Sequence, residues 1–202
     1  MALLCKGGVV AFPTDTLYGL GADFSSLSAV QRVIDIKGRP QEMGLPLLMA
    51  GVSDLSQVSR NVTDDVMLLA NRFWPGALTI VVLRSRAVPD LVTGGRDTVA
   101  LRVPDHPVPI ALARGLGRPI TGTSANRSGQ PPASTAQEVW RQLGDDVDLV
   151  IKGGGIPHGV QSTIVDATGP VVMVLRQGAV SVDSIRSVYP GMVEDRSGGH
   201  VF

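Results

Sequence analysis

Three short polar segments hold most of the side chains in this sequence that could do chemistry. Pro13-Thr14-Asp15-Thr16 follows an apolar run, Thr123-Ser124-Ala125-Asn126 follows Pro119-Ile120, and Gly159-Val160-Gln161-Ser162-Thr163 leads into another run. Each supplies hydroxyl or amide groups and backbone N–H donors beside glycine or proline. Around them stand four cations, Lys37, Arg39, Arg102 and Arg176, each near the end of a candidate element. Of the 18 basic residues only Lys6, Lys37 and Lys152 are lysines, and the others are arginines, whose forked guanidinium suits carboxylate and phosphate. Hydroxyls with scattered arginine and lysine fit an anionic ligand such as a nucleotide or an amino acid. Covalent catalysis is not indicated, because no Gly-x-Ser-x-Gly elbow occurs and the single cysteine, Cys5, forms no recognisable Cys–His pair. The common phosphate-binding loops are absent, and the glycine triplet 153–155 reads as a plain loop. His106 and His158 have no partner at metal-ligand spacing and read as surface residues, and His200 falls in the terminal segment.

Elements must position these groups. Residues 9–12 are apolar and long enough for a buried strand of a parallel or mixed sheet, ended by Pro13, with Gly19 and Gly21 read as part of the loop beyond it. A strand that runs into a polar, glycine-bearing loop is where open α/β sheets place ligands. Leu27, Val30, Val33 and Ile34 recur at helical spacing over 25–37, with Ser26 or Ser28 as cap, and Gly38 and Pro40 stop the helix. Lys37 and Arg39 then project together from the Lys-Gly-Arg-Pro turn, where the helix dipole alone also favours cations.

Further strands are expected over 45–50, where Pro46 suggests an edge or a bulge, and over 78–83, 98–103, 119–123, 149–152, 163–166 and 171–176. Helices are expected over 63–73 capped by Thr63, 107–114, 135–143 with a Thr135/Glu138 capping box, and 181–188. Period-two alternation in the strand over 98–103 puts Arg102 on one face with Thr98 and Ala100, with Asp97 or Asp105 as its nearest carboxylates in sequence. The class is α/β or α+β: a twisted mixed sheet with flanking helices and a concave ligand site, in one domain over 1–190 with a flexible tail over 191–202.

The chain has 202 residues, is 44% hydrophobic and carries no net charge, with 18 basic and 18 acidic residues. That composition describes a globular protein. It shows no excess charge for broad nucleic-acid binding, although a local patch of either sign is compatible with it. No apolar run reaches the ~18 residues of a membrane span, and the first residues lack the pattern of a signal peptide, so the expected location is the cytoplasm, with no membrane contact.

Taken together, the ordered motifs PTDTLYGLG, KGR, FWPGALT, DTVALRVP, TSAN, QSTIVD and LRQGA resemble those of the YrdC-like threonylcarbamoyl-AMP synthase family over about residues 7–180. The resemblance implies an α/β fold around a twisted sheet. It also implies an enzyme that joins L-threonine, bicarbonate and ATP into threonylcarbamoyl-adenylate and releases pyrophosphate, supplying downstream threonylcarbamoyl-transfer proteins that modify tRNA. Residue by residue, Thr16, Arg102, Gly122 and Ser162 would hold the threonine. Lys37, Arg39, Thr98, Ser124, Asn126 and Arg176 would hold ATP, with Lys37 and Arg39 on the phosphates as the catalytic cations. Magnesium is expected on the nucleotide, with no protein metal site. Gln161 departs from the glutamate common before Ser-Thr in the family, and the chain resembles the short, single-domain form. Two other readings use the same fold: an RNA-binding or ribosome-maturation factor, to which weak tRNA contact would belong, and a carbamoyl-transfer domain that uses carbamoyl phosphate.

Overall fold

A computed structural model describes residues 1–153 and 159–197. Of the glycine triplet only Gly153 is among them, and His158, His200 and the last five residues lie outside the described residues. The strands are β1 (Val10–Phe12), β2 (Gly19–Gly21), β3 (Leu47–Leu48), β4 (Leu78–Leu83), β5 (Thr98–Arg102), β6 (Ile120–Thr121), β7 (Thr123–Ser124), β8 (Leu149–Val150), β9 (Thr163–Asp166), β10 (Val172–Arg176) and β11 (Val193–Asp195). The helices are α1 (Ala2–Cys5), α2 (Leu27–Lys37), α3 (Leu55–Val58), α4 (Asp64–Phe73), α5 (Asp90–Thr93), α6 (Pro107–Leu116), α7 (Ala136–Leu143) and α8 (Val182–Arg186). Among the described residues no helix is long and apolar enough to cross a membrane.

Two mixed sheets form where a single one was expected. One has the order β7-β2-β1-β8 and the other β11-β10-β9-β4-β5-β3-β6. The chain changes sheets within three residues: Thr121 pairs with Leu47 in the large sheet, and Thr123 pairs with Leu20 in the small one. Gly122 is the corner between them, and a Cβ there would stand 2.3 Å from Leu48 Cγ.

Pro13 ends β1 as expected, but Gly19 and Gly21 are not loop residues. They flank Leu20 in β2, which runs antiparallel to β1. Glycine is needed for packing, since a Cβ on Gly19 would meet the Phe12 ring at 2.7 Å and one on Gly21 would meet the Thr121 carbonyl oxygen at 2.1 Å. Gly21→Ala is therefore expected to destabilise the fold by roughly 1–3 kcal/mol or more, because a backbone atom must move. A denaturant midpoint equal to that of the parent chain would show that the two sheets can separate at no cost.

Pro46 precedes β3 and so removes no ladder bond, which lets β3 lie inside the large sheet rather than at its edge. In α2, Ser26 accepts from Ala29 N–H and Gly38 closes the helix at φ 60°. The buried stripe is Ala29, Val30, Val33 and Ile34, while Leu27 is 55% exposed, the opposite of its expected place. The segment read as a tail also holds structure: Val193–Asp195 pairs parallel with β10, and Val193 joins the core.

The large sheet has two unlike faces. Leu78, Ile80, Val82, Val99, Leu101, Val103 and Val165 enter the main core. Alternation turns Val81, Ala100 and Ile164 to the other face, and Thr79, Thr98 and Arg102 share their parity.

Candidate functional site

A cavity of about 310 Å³ opens where that second face meets the β1–β2 loop and the Thr121–Asn126 segment. All ten residues singled out from the sequence line it: Thr16, Lys37, Arg39, Thr98, Arg102, Gly122, Ser124, Asn126, Ser162 and Arg176. Among the described residues the lining contains four cations and no carboxylate.

Arg102 is 6% exposed at the end of β5. Its carboxylate partner is neither Asp97 nor Asp105 but Asp15, 87 residues away, at 2.6 Å from Nη2. Asp97 instead meets Arg60 on the surface. The reason is direction: Arg102 points into the cavity, toward the polar loop that follows β1. Its Nη1 donates to Thr16 Oγ1 at 3.0 Å and its Nε to the Gly76 carbonyl at 2.8 Å. Burial pushes its pKa down, and Asp15 opposes that shift. A guanidinium has five N–H donors, and these bonds take three. One N–H on each terminal nitrogen remains for a ligand in the cavity that Arg102 lines.

Lys37 does not project from its turn. It is 4% exposed, and its Nζ donates to the Ser124 carbonyl at 2.7 Å, the Asn126 carbonyl at 2.6 Å and Asn126 Oδ1 at 3.0 Å. The last residue of α2 is thus tied to the segment after β7. Burial, and then the neighbouring Arg39 guanidinium, lower its pKa to about 7. Arg39 donates from Nη2 to the Gly44 carbonyl at 2.9 Å, while its Nε is buried with no hydrogen-bond partner among the described residues. Burial lowers its pKa to about 10. A buried donor without a partner is uncommon and costly, and an anionic oxygen would satisfy it.

Arg176 reaches the cavity through an irregularity. Strict alternation would send it to the core with Val172 and Val174. The register shifts between Val174 and Arg176, so that Arg176 stands opposite Ile164 on the cavity face. Its Nε and Nη2 donate to the Ser162 carbonyl at 3.1 and 2.9 Å, and Nη2 also reaches Ser162 Oγ at 3.2 Å. Burial lowers its pKa, with repulsion from Arg102 adding to the effect. Burial penalises the positive charge of all four cations, and a polyanion in the cavity would offset that penalty.

Three contributors escaped the sequence reading in these roles. Asp15 was noted as a polar residue but not as the partner of Arg102. Thr79 lies in a strand read for its apolar residues, although its place beside Val81 by alternation is the signal that could have found it. The Gly44 carbonyl that orients Arg39 has no sequence signal. His106 is half-buried and caps α6, its Nδ1 accepting from Val108 N–H at 3.2 Å.

Residues 2–178 match the family model Sua5_yciO_yrdC, described as "Telomere recombination". The chain belongs to the Sua5/YciO/YrdC family. Its curated Sua5/YciO/YrdC relatives include the threonylcarbamoyl-AMP synthase of Pyrococcus abyssi, 39% identical over 183 residues, covering 91% of this chain and 54% of that protein. The enzyme of the same name from Vibrio cholerae is 41% identical over 181 residues, covering 87% and 93%. Among solved Sua5/YciO/YrdC structures, P. abyssi Sua5 complexed with L-threonine superposes with a TM-score of 0.94 at 36% identity, over 99% of this chain and 59% of that one. The chain spans about half the length of the P. abyssi relative.

Proposed function

We propose that this chain carries the catalytic site of a threonylcarbamoyl-AMP synthase, which condenses L-threonine, bicarbonate and ATP into threonylcarbamoyl-adenylate and pyrophosphate. The observation that carries the reading is the cavity itself, where four cations converge with no carboxylate in the lining. The name shared by the curated relatives, and the L-threonine bound to P. abyssi Sua5, support it.

In this reading the two uncommitted donors of Arg102 take the threonine carboxylate, with Thr16, Ser162 and the backbone at Gly122 closing that end. Lys37, Arg39 and Arg176 face the triphosphate, and Thr98, Ser124 and Asn126 complete the nucleotide end. The threonine nitrogen attacks the carbon of bicarbonate, water leaves, and the resulting carbamate oxygen attacks the α-phosphorus as pyrophosphate departs. Three anions must meet in one place, which cations already fixed in a partly buried site make less unfavourable. Magnesium would come with the nucleotide, where it would offset charge on the phosphates beside Lys37, Arg39 and Arg176. The adenylate passes to threonylcarbamoyl-transfer proteins that act on tRNA, in the cytoplasm, and direct contact with RNA is weak.

The first test is substrate dependence. Pyrophosphate release from ATP should need both L-threonine and bicarbonate, and equal release with threonine omitted would count against the reading.

The second is proton linkage. With its pKa lowered to about 7 in the free site, Lys37 gives up its third N–H, and with it one of its three hydrogen bonds, as pH rises toward 8, and phosphate oxygens favour its charged form. Nucleotide binding at pH 8 should take up part of a proton, seen as a dependence of the calorimetric heat on buffer ionisation enthalpy. Lys37→Met should abolish the uptake. Stability has its own sign: the folded value lies below the unfolded one near 10.5, so between them the unfolded chain holds more protons and stability rises with pH. A binding heat independent of buffer would mean that Lys37 takes up no proton when the nucleotide binds.

A further inference from the structure

Thr79 is the one hydroxyl in β4, which reads Leu-Thr-Ile-Val-Val-Leu. It is 3% exposed, and its Oγ1 stands 2.8 Å from Ser162 Oγ, its sole side-chain partner among the described residues. The Ser162 hydroxyl also meets Arg176 Nη2 at 3.2 Å. A guanidinium only donates, so Ser162 accepts there. Two proton arrangements are then possible between Thr79 and Ser162. If Ser162 donates to Thr79, the Thr79 proton is left with no protein acceptor among the described residues at the more buried of two points on the cavity wall, 3% exposed against 7% for Ser162, which is the less favourable arrangement. If Thr79 donates, both lone pairs of Ser162 are filled, by Thr79 and by Arg176, and the Ser162 proton is the one left over. Ser162 lines the cavity, so that proton meets whatever binds there.

We infer that Thr79 is a positioning residue that donates to Ser162 and so fixes the Ser162 hydroxyl as a hydrogen-bond donor toward an oxygen of the amino-acid substrate. The inference rests on the functional reading above and adds to it a residue and a polarity. With both lone pairs occupied, Ser162 offers a ligand no acceptor. A group presenting an oxygen at that point is held, and one presenting an N–H is turned away. Thr79 acts only through Ser162, and Arg176, the phosphate cation that touches the Ser162 hydroxyl, keeps its two bonds to the Ser162 carbonyl when Thr79 is changed.

The test uses Thr79→Val, which keeps shape and removes the hydroxyl, and Thr79→Ser, which keeps the hydroxyl, each also combined with Ser162→Ala. Thr79→Val should raise the Michaelis constant for L-threonine and its calorimetric dissociation constant roughly five- to twentyfold. The Michaelis constant for ATP and the melting temperature should stay close to the parent values, and Thr79→Ser should restore threonine affinity. In the Ser162→Ala background Thr79→Val should add less than about twofold, because the group it orients is gone. Additive losses in the double variant, equal losses for threonine and ATP, or a Thr79→Ser variant as impaired as Thr79→Val would each overturn the inference. If the parent chain is threonine-dependent and Thr79→Val matches it, the inference fails alone. If the parent chain neither binds nor requires L-threonine, the functional reading fails and takes the inference with it.

Discussion

Replacing Arg102 by lysine raises the Michaelis constant for L-threonine roughly ten- to a hundredfold and leaves that for ATP nearly unchanged. The expectation follows from how the five guanidinium donors are used. Asp15, Thr16 and the Gly76 carbonyl take three of them, and the remaining two, one on each terminal nitrogen, are left for a ligand in the cavity that Arg102 lines. Lysine keeps a cation for Asp15 but has one nitrogen, so it cannot hold Asp15 and Gly76 and also grip both oxygens of a carboxylate. Losing such a charge-assisted contact costs ~1.5–3 kcal/mol, which sets the size of the effect. The choice of lysine matters, since Arg102→Met would leave the Asp15 carboxyl buried without its partner, a change that costs ~3–5 kcal/mol in stability and would mask the binding effect. Unchanged threonine dependence in the lysine variant would make Arg102 a purely structural partner of Asp15.

Lys37→Met weakens ATP binding roughly ten- to a hundredfold or more, with threonine affinity in the free enzyme little affected. Methionine keeps the apolar stem packed at the end of α2 and removes the ammonium. A cation that serves only the helix dipole is worth ~0.3–1 kcal/mol of stability. Lys37 is placed for more than that, because three backbone and side-chain oxygens hold it at the cavity wall beside Arg39. Direct titration of the variant with ATP, alongside its melting curve, separates the two roles. A variant that melts much earlier yet binds ATP normally would assign Lys37 to the fold.

Local signals in the sequence carried far. The β-branched run of β4, the capping box at Thr135 and Glu138, and the Thr63 and Ser26 caps mark their elements where the structure has them. Alternation alone put Arg102 on the face with Thr98 and Ala100 that lines the cavity. What stayed hidden depends on contacts between distant parts of the chain. Asp15 meets Arg102 across 87 residues, and no local pattern distinguishes it from Asp97 or Asp105. Gly19 and Gly21 look like loop punctuation until the Phe12 ring and the Thr121 carbonyl are seen against them. Arg176 obeys the opposite parity from the one that alternation assigns, because an extra residue in β10 shifts the register just before it. Gly122 falls inside the single strand expected over 119–123, and only the pairing of its neighbours with two different sheets shows that the chain turns a corner there.

The most direct measurement of the central claim is mass spectrometry of the product after incubation with ATP, L-threonine and isotopically labelled bicarbonate. The account predicts threonylcarbamoyl-adenylate carrying the label in its carbamoyl carbon, formed in step with pyrophosphate and lost in the Arg102→Lys variant at low threonine. Release of ADP and phosphate, or an adenylate without the labelled carbon, would contradict it.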